Sequence, residues 1–571
     1  MRTRLRPGFL AALGIWGVAF AAEALGAQPA DLILSGGKVF TADATAPFAE
    51  AVAISGGRIL YVGSVEGAAR FRGPKTRFID LRGRLCLPGF NDAHIHLMSG
   101  ATSLARIDLS EDTSSFAIEA HIARDAEAHP DSAWVLGFGW VYSAFPGGLP
   151  AKGELDEAVK DRPAYMESYD GHTGWANGKA LALAGITRTT PDPPRGAIVH
   201  DPAGEPTGVL KEEATRLVLA KVPKPFPGAQ YALLLKALAL LASEGITSVQ
   251  DARDDEVSLD DEIPLFERAL REGRLSLRIR AAVLMTPGHV REAIEEARRL
   301  KRSHTNPRLQ FGTLKGFVDG VVESHTAALL APYADNPALG AGETRWAPEA
   351  LKEAVVDADA QGLQVYLHAI GDRAVRTALD AYEAALRAHG PRDRRGRIEH
   401  VETIDPVDIP RFQKLGVIAS MQPLHASPVP NTLDIWAGNL GPERASRGFA
   451  WARLEHAGAR LAFGSDWPVV TADVFQGLYC ALTRKTPAGS PPGGWFPEQS
   501  VGLESALRHY TADGAYASFE EQQKGTLAAG RLADVIVVSE DLFAEPPEAL
   551  LKARVLLTLV EGQEVFRAPG F

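Results

Sequence analysis

Cysteine is scarce in this sequence. The chain has 571 residues but only two cysteines, Cys86 and Cys480, and neither belongs to a Cys-x-x-Cys pair. A disulfide-built scaffold and a thiolate metal site are therefore excluded. The chain has 15 histidines, so any bound metal must be held by histidine and carboxylate side chains. Whether the two cysteines pair with each other stays open at this point.

The sequence also lacks an excess of basic residues. Lys and Arg number 60 against 71 Asp and Glu, which gives a formal net charge of −11. Such a surface repels polyanions, so nucleic acid and anionic membranes are disfavoured as main partners, and we expect a small-molecule partner. Hydrophobic residues make up 46% and charged residues 23%, as in ordinary globular proteins. The length exceeds that of one domain of usual size.

Long apolar runs are absent after the N-terminus. Arginines at positions 2, 4 and 6 precede a run of 14 apolar or small residues at 9–22. This length is short for a membrane span but typical of a secretory signal. We expect residues 1–27 to be a signal peptide, and the mature protein to be secreted or periplasmic in a bacterium, with no stable membrane anchor. An uncleaved anchor is the alternative.

The two ends of the remaining chain resemble each other in pattern. Short apolar stretches separated by Gly-containing turns occupy 31–79, and the same pattern returns at 534–562. Such runs predict β-strands. We expect one small β-sandwich-like domain built from residues 28–85 and 520–571.

The middle of the chain, residues 86–519, alternates between apolar runs and helical periodicity. The predicted strands are Leu85–His96, Ile246–Asp251, Leu277–Leu284, Phe311–Val318, Leu363–His368, Arg397–Val401, Val417–Gln422 and Arg460–Gly464. Eight strands that alternate with helices predict an α/β fold, a (β/α)8 TIM barrel. An open doubly wound sheet is the alternative, but no Gly-rich dinucleotide loop follows the first strand. The long gap after strand one predicts an inserted subdomain at about 108–227.

Two histidines close the first barrel strand. His94 and His96 are two residues apart, so both side chains point to the same side of the strand. Two imidazoles that converge on one point are typical of a metal site. Taken alone, a His-x-His pair fits packed or surface histidines equally well.

Further polar residues occupy later strand ends. Lys315 lies in the fourth strand, His368 ends the fifth, His400 ends the sixth and Asp466 follows the eighth. Catalytic residues of TIM barrels come from the carboxyl ends of the strands. The combined set therefore predicts a metal-dependent active site.

Seven motifs strengthen this interpretation. They are LPGFNDAHIH at 87–96, DGHTGWAN at 170–177, LKGFVDG at 314–320, HAIGDRA at 368–374, RIEH at 397–400, GSDWP at 464–468 and GTLAAGRLAD at 525–534. The set resembles the amidohydrolase superfamily, and within it amidohydrolase family 3, over nearly the whole mature chain. This resemblance implies a metal-dependent hydrolase with a distorted barrel and a β-domain formed by both chain ends.

The resemblance also implies a ligand set for one or two divalent ions, with zinc as the first expectation. His94 and His96 would bind the more buried metal. Lys315 would be carboxylated and would bridge two metals, with His368 and His400 on the second. An ion pair between Lys315 and a carboxylate such as Asp319 is the alternative. Iron, manganese and nickel suit the same ligands.

The remaining roles follow from chemistry and from the resemblance together. Asp466 is expected to be a metal ligand and the general base that takes a proton from the attacking water. His172 is the candidate donor to the oxyanion. The candidate substrate-binding residues are Trp140, Trp175, Gln422 and His425. Structural or surface positions are the alternative for each of these residues.

These residues predict a secreted metal-dependent amidohydrolase that cleaves a C–N bond in an amide, an N-acyl or N-formyl amine, or a cyclic ureide. Metal-dependent esterases or lactonases, deaminases and decarboxylases of the same superfamily are the alternatives. A non-catalytic exported binding protein is a third reading, which a missing ligand or base would favour. We further expect a homodimer.

Overall fold

The structure is a computed structural model that describes residues 28–253 and 258–571. The predicted signal peptide, residues 1–27, lies outside the described residues and stays a prediction, as does the homodimer. Among the helices of the described residues, none has the length and apolarity needed to cross a bilayer. Cys86 and Cys480 are both buried and free, so they do not pair with each other.

Twenty-two strands form three sheets within the described residues. They are β1 Leu32–Phe40, β2 Phe48–Ser55, β3 Arg58–Gly63, β4 Arg77–Asp80, β5 Leu85–Pro88, β6 Phe90–Ile95, β7 Ile107–Asp108, β8 Val135–Trp140, β9 Ala164–Ser168, β10 Thr173–Ala176, β11 Gly196–His200, β12 Pro206–Glu212, β13 Ile246–Asp251, β14 Arg278–Leu284, β15 Leu309–Phe317, β16 Gln364–Ala369, β17 Arg397–His400, β18 Ile418–Met421, β19 Arg460–Phe463, β20 Val535–Val538, β21 Val555–Val560 and β22 Gln563–Arg567.

The same residues form eighteen α-helices. They are α1 Val65–Ala69, α2 Leu97–Ser103, α3 Ser115–Ala128, α4 Lys152–Ala158, α5 Gly178–Ala184, α6 Arg216–Leu219, α7 Pro227–Ser243, α8 Leu259–Arg271, α9 Val290–Ser303, α10 Pro348–Ala360, α11 Asp372–His389, α12 Ile409–Leu415, α13 Ala437–Leu440, α14 Pro442–Ala445, α15 Trp451–His456, α16 Val474–Thr483, α17 Leu503–His509 and α18 Ala512–Ala517.

The barrel sheet contains eight parallel strands in the order β19-β18-β17-β16-β15-β14-β13-β6. β19 lies against β6, so the sheet is nearly closed. Helices cover its outer face, and α9 shows why they pack there. Its buried residues Ala293, Ile294, Ala297 and Leu300 form one apolar stripe at helical spacing. The predicted TIM-barrel fold class is confirmed.

Both chain ends contribute to a second sheet, ordered β22-β21-β20-β5-β1-β2-β3, with β4 paired to β1. The single strand expected at Leu85–His96 is two strands. β5 pairs with β1 and β20 in this sheet, and only β6 belongs to the barrel. Gly89 forms the junction, where a Cβ would lie 2.3 Å from the side chain of Thr247. The close approach of these two segments of the chain requires glycine at position 89.

The third sheet lies between β6 and β13 along the chain and has the order β11-β12-β10-β9-β8-β7. One of its two hydrophobic clusters is centred on aromatic side chains, among them Trp140, Tyr142, Phe145 and Trp175. Trp140 and Trp175 both make edge-to-face contacts with Phe145, at centroid separations of 5.6 and 5.4 Å. Residues 168–172, beside this sheet, line the cavity at the carboxyl end of the barrel.

Candidate active site

Polar side chains from five barrel strands meet at one end of the barrel. The six residues expected at the strand ends, His94, His96, Lys315, His368, His400 and Asp466, all lie there. The ring centroid of His94 is 5.3 Å from that of His96 and 4.8 Å from that of His400. Because the carboxyl ends of parallel strands face the same way, residues far apart in sequence converge on one point.

Asp466 stands at the centre of this group. Its Oδ1 lies 3.1 Å from His96 Nε2 and 3.4 Å from His94 Nε2. Oδ1 is buried and accepts no hydrogen bond, which is costly for a carboxylate oxygen. Burial raises the pKa of Asp466, but His94 and His96 outweigh burial and hold the pKa below its usual value. Two ring nitrogens and one unsatisfied carboxylate oxygen therefore face one another.

His94 is held by a buried chain of charges. Its Nδ1 lies 2.6 Å from Glu399 Oε2, and both oxygens of Glu399 accept hydrogen bonds of 2.8 Å from Arg397. This contact leaves Nε2 of His94 facing Asp466. Burial, followed by the charge of Lys315, lowers the pKa of His94 well below its ordinary value. A neutral ring oriented by a carboxylate is the usual state of a metal-binding histidine.

Asp466 also belongs to a second group of polar side chains. The Oδ2 atom of Asp466 lies 3.4 Å from His425 Nε2 and 3.7 Å from His400 Nδ1. Two sets of ligand-type atoms lie within 4.8 Å of one another in the described residues: His94, His96 and Asp466, and His400, His425 and Asp466. Histidine and carboxylate in this proportion fit a divalent ion of the zinc type. The unsatisfied oxygen of Asp466 supports that fit.

His425 thus differs from its expected role. It was a substrate-binding candidate, yet its ring belongs to the second ligand-type group while also lining the cavity. Burial opposes protonation of His425, but Glu402 and Asp466 raise its pKa above the ordinary value. His368, expected on the second metal, is not in either group. Its Nε2 lies 3.2 Å from the carbonyl oxygen of Gly320, and its ring centroid lies 4.6 Å from that of His400.

Lys315 is fully buried between the two groups. Its Nζ lies 3.4 Å from His94 Nε2 and 4.5 Å from the centroid of the Phe317 ring. The carboxylate of Asp319, the sequence-based alternative partner, accepts hydrogen bonds of 2.9–3.0 Å from the backbone N–H groups of Ala328, Ile370 and Gly371. Asp319 therefore organises the loops beyond the strands.

His172 lies on the insert side of the same cavity. Its Nδ1 is 3.0 Å from Glu212 Oε2, and Arg345 donates to the same carboxylate. Burial opposes protonation, but Glu212 raises the pKa of His172 above its ordinary value. The pKa of Glu212 is lowered to about 2, because His172 and Arg345 outweigh burial. His172 therefore belongs to an ion-paired network.

Three of the substrate-binding predictions do not match the structure. Trp140 and Trp175 are fully buried in the insert core, with their Nε1–H groups donated to the carbonyl oxygens of Met166 and Ala151. Neither side chain lines a cavity at the barrel. Both belong to the hydrophobic core of the inserted subdomain, which aromatic side chains fill. Gln422 is also buried, and its Oε1 lies 2.8 Å from His400 Nδ1. Gln422 therefore contacts the ring of His400, and it is not among the residues that line the two cavities at the barrel mouth.

Two cavities flank the cluster. The larger has a volume of about 420 Å³ and is lined by His96, Asp466, His425, Glu402 and Glu323, together with apolar side chains. The smaller, about 200 Å³, lies toward the insert, and its wall includes paired charges such as Glu212 with Arg345. His96, Tyr169 and His172 line both cavities.

Several site residues were not predicted from sequence. Glu399, Glu402 and Glu212 were not among the candidate site residues. Glu399 had a usable signal, since it follows Arg397 by two residues in a barrel strand and so shares its inward face. Glu402 lies on a loop and Glu212 lies in the insert, where no periodic sequence pattern distinguishes a site residue from its neighbours.

The site and fold agree with known proteins. The Amidohydrolase family model matches residues 77–566. The Arabidopsis thaliana protein LONG AFTER FAR-RED 3 is 33% identical over 544 residues, 94% of this chain and 92% of that protein. The N-substituted formamide deformylase of Arthrobacter pascens is 29% identical over 558 residues, 94% of this chain and 98% of that protein.

Among solved structures, an uncharacterised metal-dependent hydrolase from Pyrococcus furiosus has a TM-score of 0.67 and 27% identity. That alignment covers 90% of this chain and 99% of the other. The family match spans the insert, the barrel and the part of the terminal sheet from β4 onward, and it includes every residue of the strand-end cluster. This chain therefore belongs to the Amidohydrolase family and is a metal-dependent hydrolase.

Proposed function

We propose that the protein hydrolyses the C–N bond of an N-formyl or N-acyl amine, with Asp466 as the general base. The observation that carries this proposal is the buried Asp466 Oδ1, which accepts no hydrogen bond and faces the Nε2 atoms of His94 and His96. A relative of similar length, 29% identical, is named as an N-substituted formamide deformylase. Its name supports the choice of amide among the reactions that this kind of site performs.

His94, His96 and Asp466 would hold one divalent ion, and His400 and His425 with Asp466 offer a second position. When bound, such an ion supplies Lewis-acid activation of water and of the substrate carbonyl. Lys315, if carboxylated, would add an oxygen ligand beside His94 Nε2, from which its Nζ is now 3.4 Å away. Zinc is the first candidate for this donor set.

Asp466 has two tasks in the proposed reaction. It takes a proton from the attacking water and then gives that proton to the leaving nitrogen as the C–N bond breaks. Its position supports both tasks, since Oδ1 lies 3.1–3.4 Å from His96 and His94 and Oδ2 lies 3.4 Å from His425. The products are a carboxylic acid, or formic acid, and a free amine.

His172 is the proposed donor to the substrate oxygen. Glu212 holds its Nδ1 at 3.0 Å, which leaves Nε2 as the ring nitrogen for a ligand. The ring lines the cavity, and its centroid is 5.8 Å from that of His368. Arg345 donates to Glu212 and so supports this orientation from behind.

The first experiment compares metal-free protein with protein reloaded separately with zinc, manganese, iron(II) and nickel. The substrate panel contains N-formyl and N-acetyl amines, a cyclic ureide, an ester, a lactone and an aminopurine, with products identified by mass spectrometry. We expect amine release from the formyl or acetyl amines only after metal is restored. Undiminished turnover by the metal-free protein, or products from the ester or aminopurine alone, would contradict the proposal.

A variant pair tests the role of Asp466. Asp466→Asn keeps the shape but removes the basic oxygen, so we expect kcat to fall by about 10³-fold or more. Bound metal is measured in parallel, so that the loss is compared at equal metal content. Asp357→Asn, on the exposed face of α10, is the matched control. Near-normal turnover in metal-loaded Asp466→Asn would remove Asp466 as the base.

A further inference from the structure

The larger cavity has an unbalanced charge. Its lining includes the carboxylates of Glu111, Asp170, Glu323, Glu402 and Asp466, and it includes no Lys or Arg. Asp466 belongs to the metal-ligand cluster, and Glu111 is exposed at the rim. Asp170, Glu323 and Glu402, together with Asn431, are called the acidic wall below. The excess of negative charge disfavours anionic substrates and attracts cations.

The two glutamates of the wall have no Lys or Arg ion-pair partner among the described residues. Glu323 is 9% and Glu402 7% exposed. The Tyr169 hydroxyl donates to Glu323, and Trp436 Nε1 donates to Glu402 Oε2 at 2.7 Å. The charged side chain beside Glu402 is His425, whose Nδ1 lies 3.5 Å from Glu402 Oε1. Burial, followed by the charges of Glu402 and Asp170, raises the pKa of Glu323 well above its usual value.

Two further acceptors in the wall have no donor. Asn431 is only 5% exposed, lines the cavity, and its Oδ1 is buried without a hydrogen-bond partner. Asp170 Oδ2 is likewise buried without a partner, although its Oδ1 accepts from Ser168 and from the N–H of His172. Buried acceptors of this kind are normally satisfied by protein, water or ligand. They point to a ligand that brings several donors.

The spacing of the oxygens separates an organic cation from a metal ion. Both groups of ligand-type atoms that lie within 4.8 Å of one another in the described residues contain Asp466, and neither includes a residue of the acidic wall. An ammonium group offers three rotatable N–H donors, which suits acceptors that are spread over a surface. The Tyr169 ring lines the same cavity and adds an aromatic surface that favours a cation.

The imidazole ring of His425 contacts both the acidic wall and Asp466. His425 lies with Nδ1 3.5 Å from Glu402 Oε1 and with Nε2 3.4 Å from Asp466 Oδ2. A ligand ammonium at the wall would thus be a short distance from the scissile bond. Leu424 and Phe449 line the cavity as well and offer apolar contact for a methylene linker.

We propose that the acidic wall is an ammonium-binding subsite and that the substrate is a mono-N-acylated or mono-N-formylated diamine. This inference rests on the proposed function. Water adds to the amide carbonyl carbon and the C–N bond breaks. The carboxylic acid keeps the water oxygen, and the proton passes to the leaving amine. The second amine, protonated throughout, stays at the acidic wall.

The test compares two series in the metal-loaded protein. One is mono-N-formyl-α,ω-diamines with linkers from ethylene to hexamethylene, and the other is N-formyl alkylamines of equal length that end in methyl. We expect kcat/KM to favour the ammonium series by at least about tenfold at the best length, a factor equal to one 1.4 kcal/mol step. Glu402→Gln and Glu323→Gln should each reduce that ratio, whereas Glu353→Gln on the exposed face of α10 should not.

Calorimetric titration with the free diamines provides a second measurement that needs no turnover. Saturable binding that weakens with salt and in the Glu402→Gln protein supports the subsite even if one variant is inactive. A ratio below about twofold in the unmodified protein, or an unchanged ratio in both glutamine variants, overturns it while leaving amide hydrolysis intact. Absence of turnover in both series, with diamine still bound at the wall, contradicts the proposed function alone. Absence of diamine binding overturns the subsite.

Discussion

At the carboxyl end of the barrel, burial lowers the pKa values of His94, His368 and His400. At the amino end, His509 is buried as well, but Asp513 and Glu455 outweigh burial and raise its pKa to about 9. The pKa values differ because the charged groups next to each ring differ. The first three face one another and Lys315, whereas His509 Nδ1 lies 2.9 Å from the Asp513 carboxylate. One set is neutral and suited to ligation, and the other is a charged structural pair.

The hydrogen bonds at the two ends differ in the same way. At the amino end, α18 closes the barrel. Gln250 and Gln364 donate at 2.8 Å to the carbonyl oxygens of Gly514 and Ala517, and Arg395 donates to that of Tyr516. At the carboxyl end, Asp466 Oδ1 is left without a donor. The donors at the amino end stabilise the closure of the barrel, whereas the unpaired oxygen of Asp466 lies among metal-ligand side chains, in agreement with the separate roles of the two ends of TIM barrels.

Among variants that test this difference between the two ends of the barrel, Lys315→Met is expected to have the largest effect. The variant removes the amine that would be carboxylated, so we expect kcat/KM to fall by about 10³-fold or more, with less bound metal, but with little change in thermal stability. Lys236→Met, exposed on α7, is the matched control.

A spectroscopic measurement isolates the modification itself. In metal-loaded protein supplied with ¹³C-bicarbonate, a carbamate resonance should be present and should disappear in Lys315→Met. If metal-loaded, active protein lacks that resonance, Lys315 is an unmodified lysine and the bridging role is wrong.

A smaller effect is expected from Glu399→Gln. Glu399 lies 2.6 Å from His94 Nδ1 and orients the ring, so we expect metal affinity to weaken by about 10- to 100-fold. Competition with a chromophoric chelator measures this affinity directly, and Glu353→Gln is the control for the loss of one negative charge. An unchanged affinity would show that the strand alone positions His94.

The raised pKa of His509, at the amino end of the barrel, predicts that the free energy of unfolding depends on pH. Its folded pKa of about 9 exceeds the ordinary value of 6.5. Protonated His509 therefore stabilises the fold fully below about pH 6.5, and this contribution is lost as the pH rises through about 9. In His509→Gln the corresponding loss, on the order of 3 kcal/mol of unfolding free energy, should be absent. Urea denaturation across this window measures it. Equal pH dependence in both proteins would contradict the assignment.

The smallest effect concerns the insert. Trp140→Phe removes the hydrogen bond to Met166 and some buried volume, so we expect a loss of about 1–2 kcal/mol in unfolding free energy. KM should not change, because Trp140 does not line the cavity. Tyr169→Phe, which does line it, should raise KM. A raised KM in Trp140→Phe would restore the original substrate-binding prediction.

Much of the architecture could be predicted from sequence, because its signals are local. Apolar runs at 246–251 and 397–401 match barrel strands within one or two residues, and the helical patterns match α7, α9, α10 and α11. His94 and His96 share a face through the period of a strand, and their neighbours follow strand ends. The same logic failed at residues 85–96, where the run was continuous but the chain changes sheet at Gly89.

Only the tertiary structure decided which of these residues act together. The contact of His94 with Glu399 spans 305 residues of sequence, and no periodicity links them. The placement of His425 beside Asp466, the burial of Trp140 and Trp175 in their own core, and the acidic wall all depend on how loops and the insert fold over the barrel mouth. Composition and spacing determined the kinds of side chain and their strand positions, because those follow from backbone geometry. The contacts that these side chains make depend on packing between segments far apart in sequence, and a local sequence pattern contains no information about such packing.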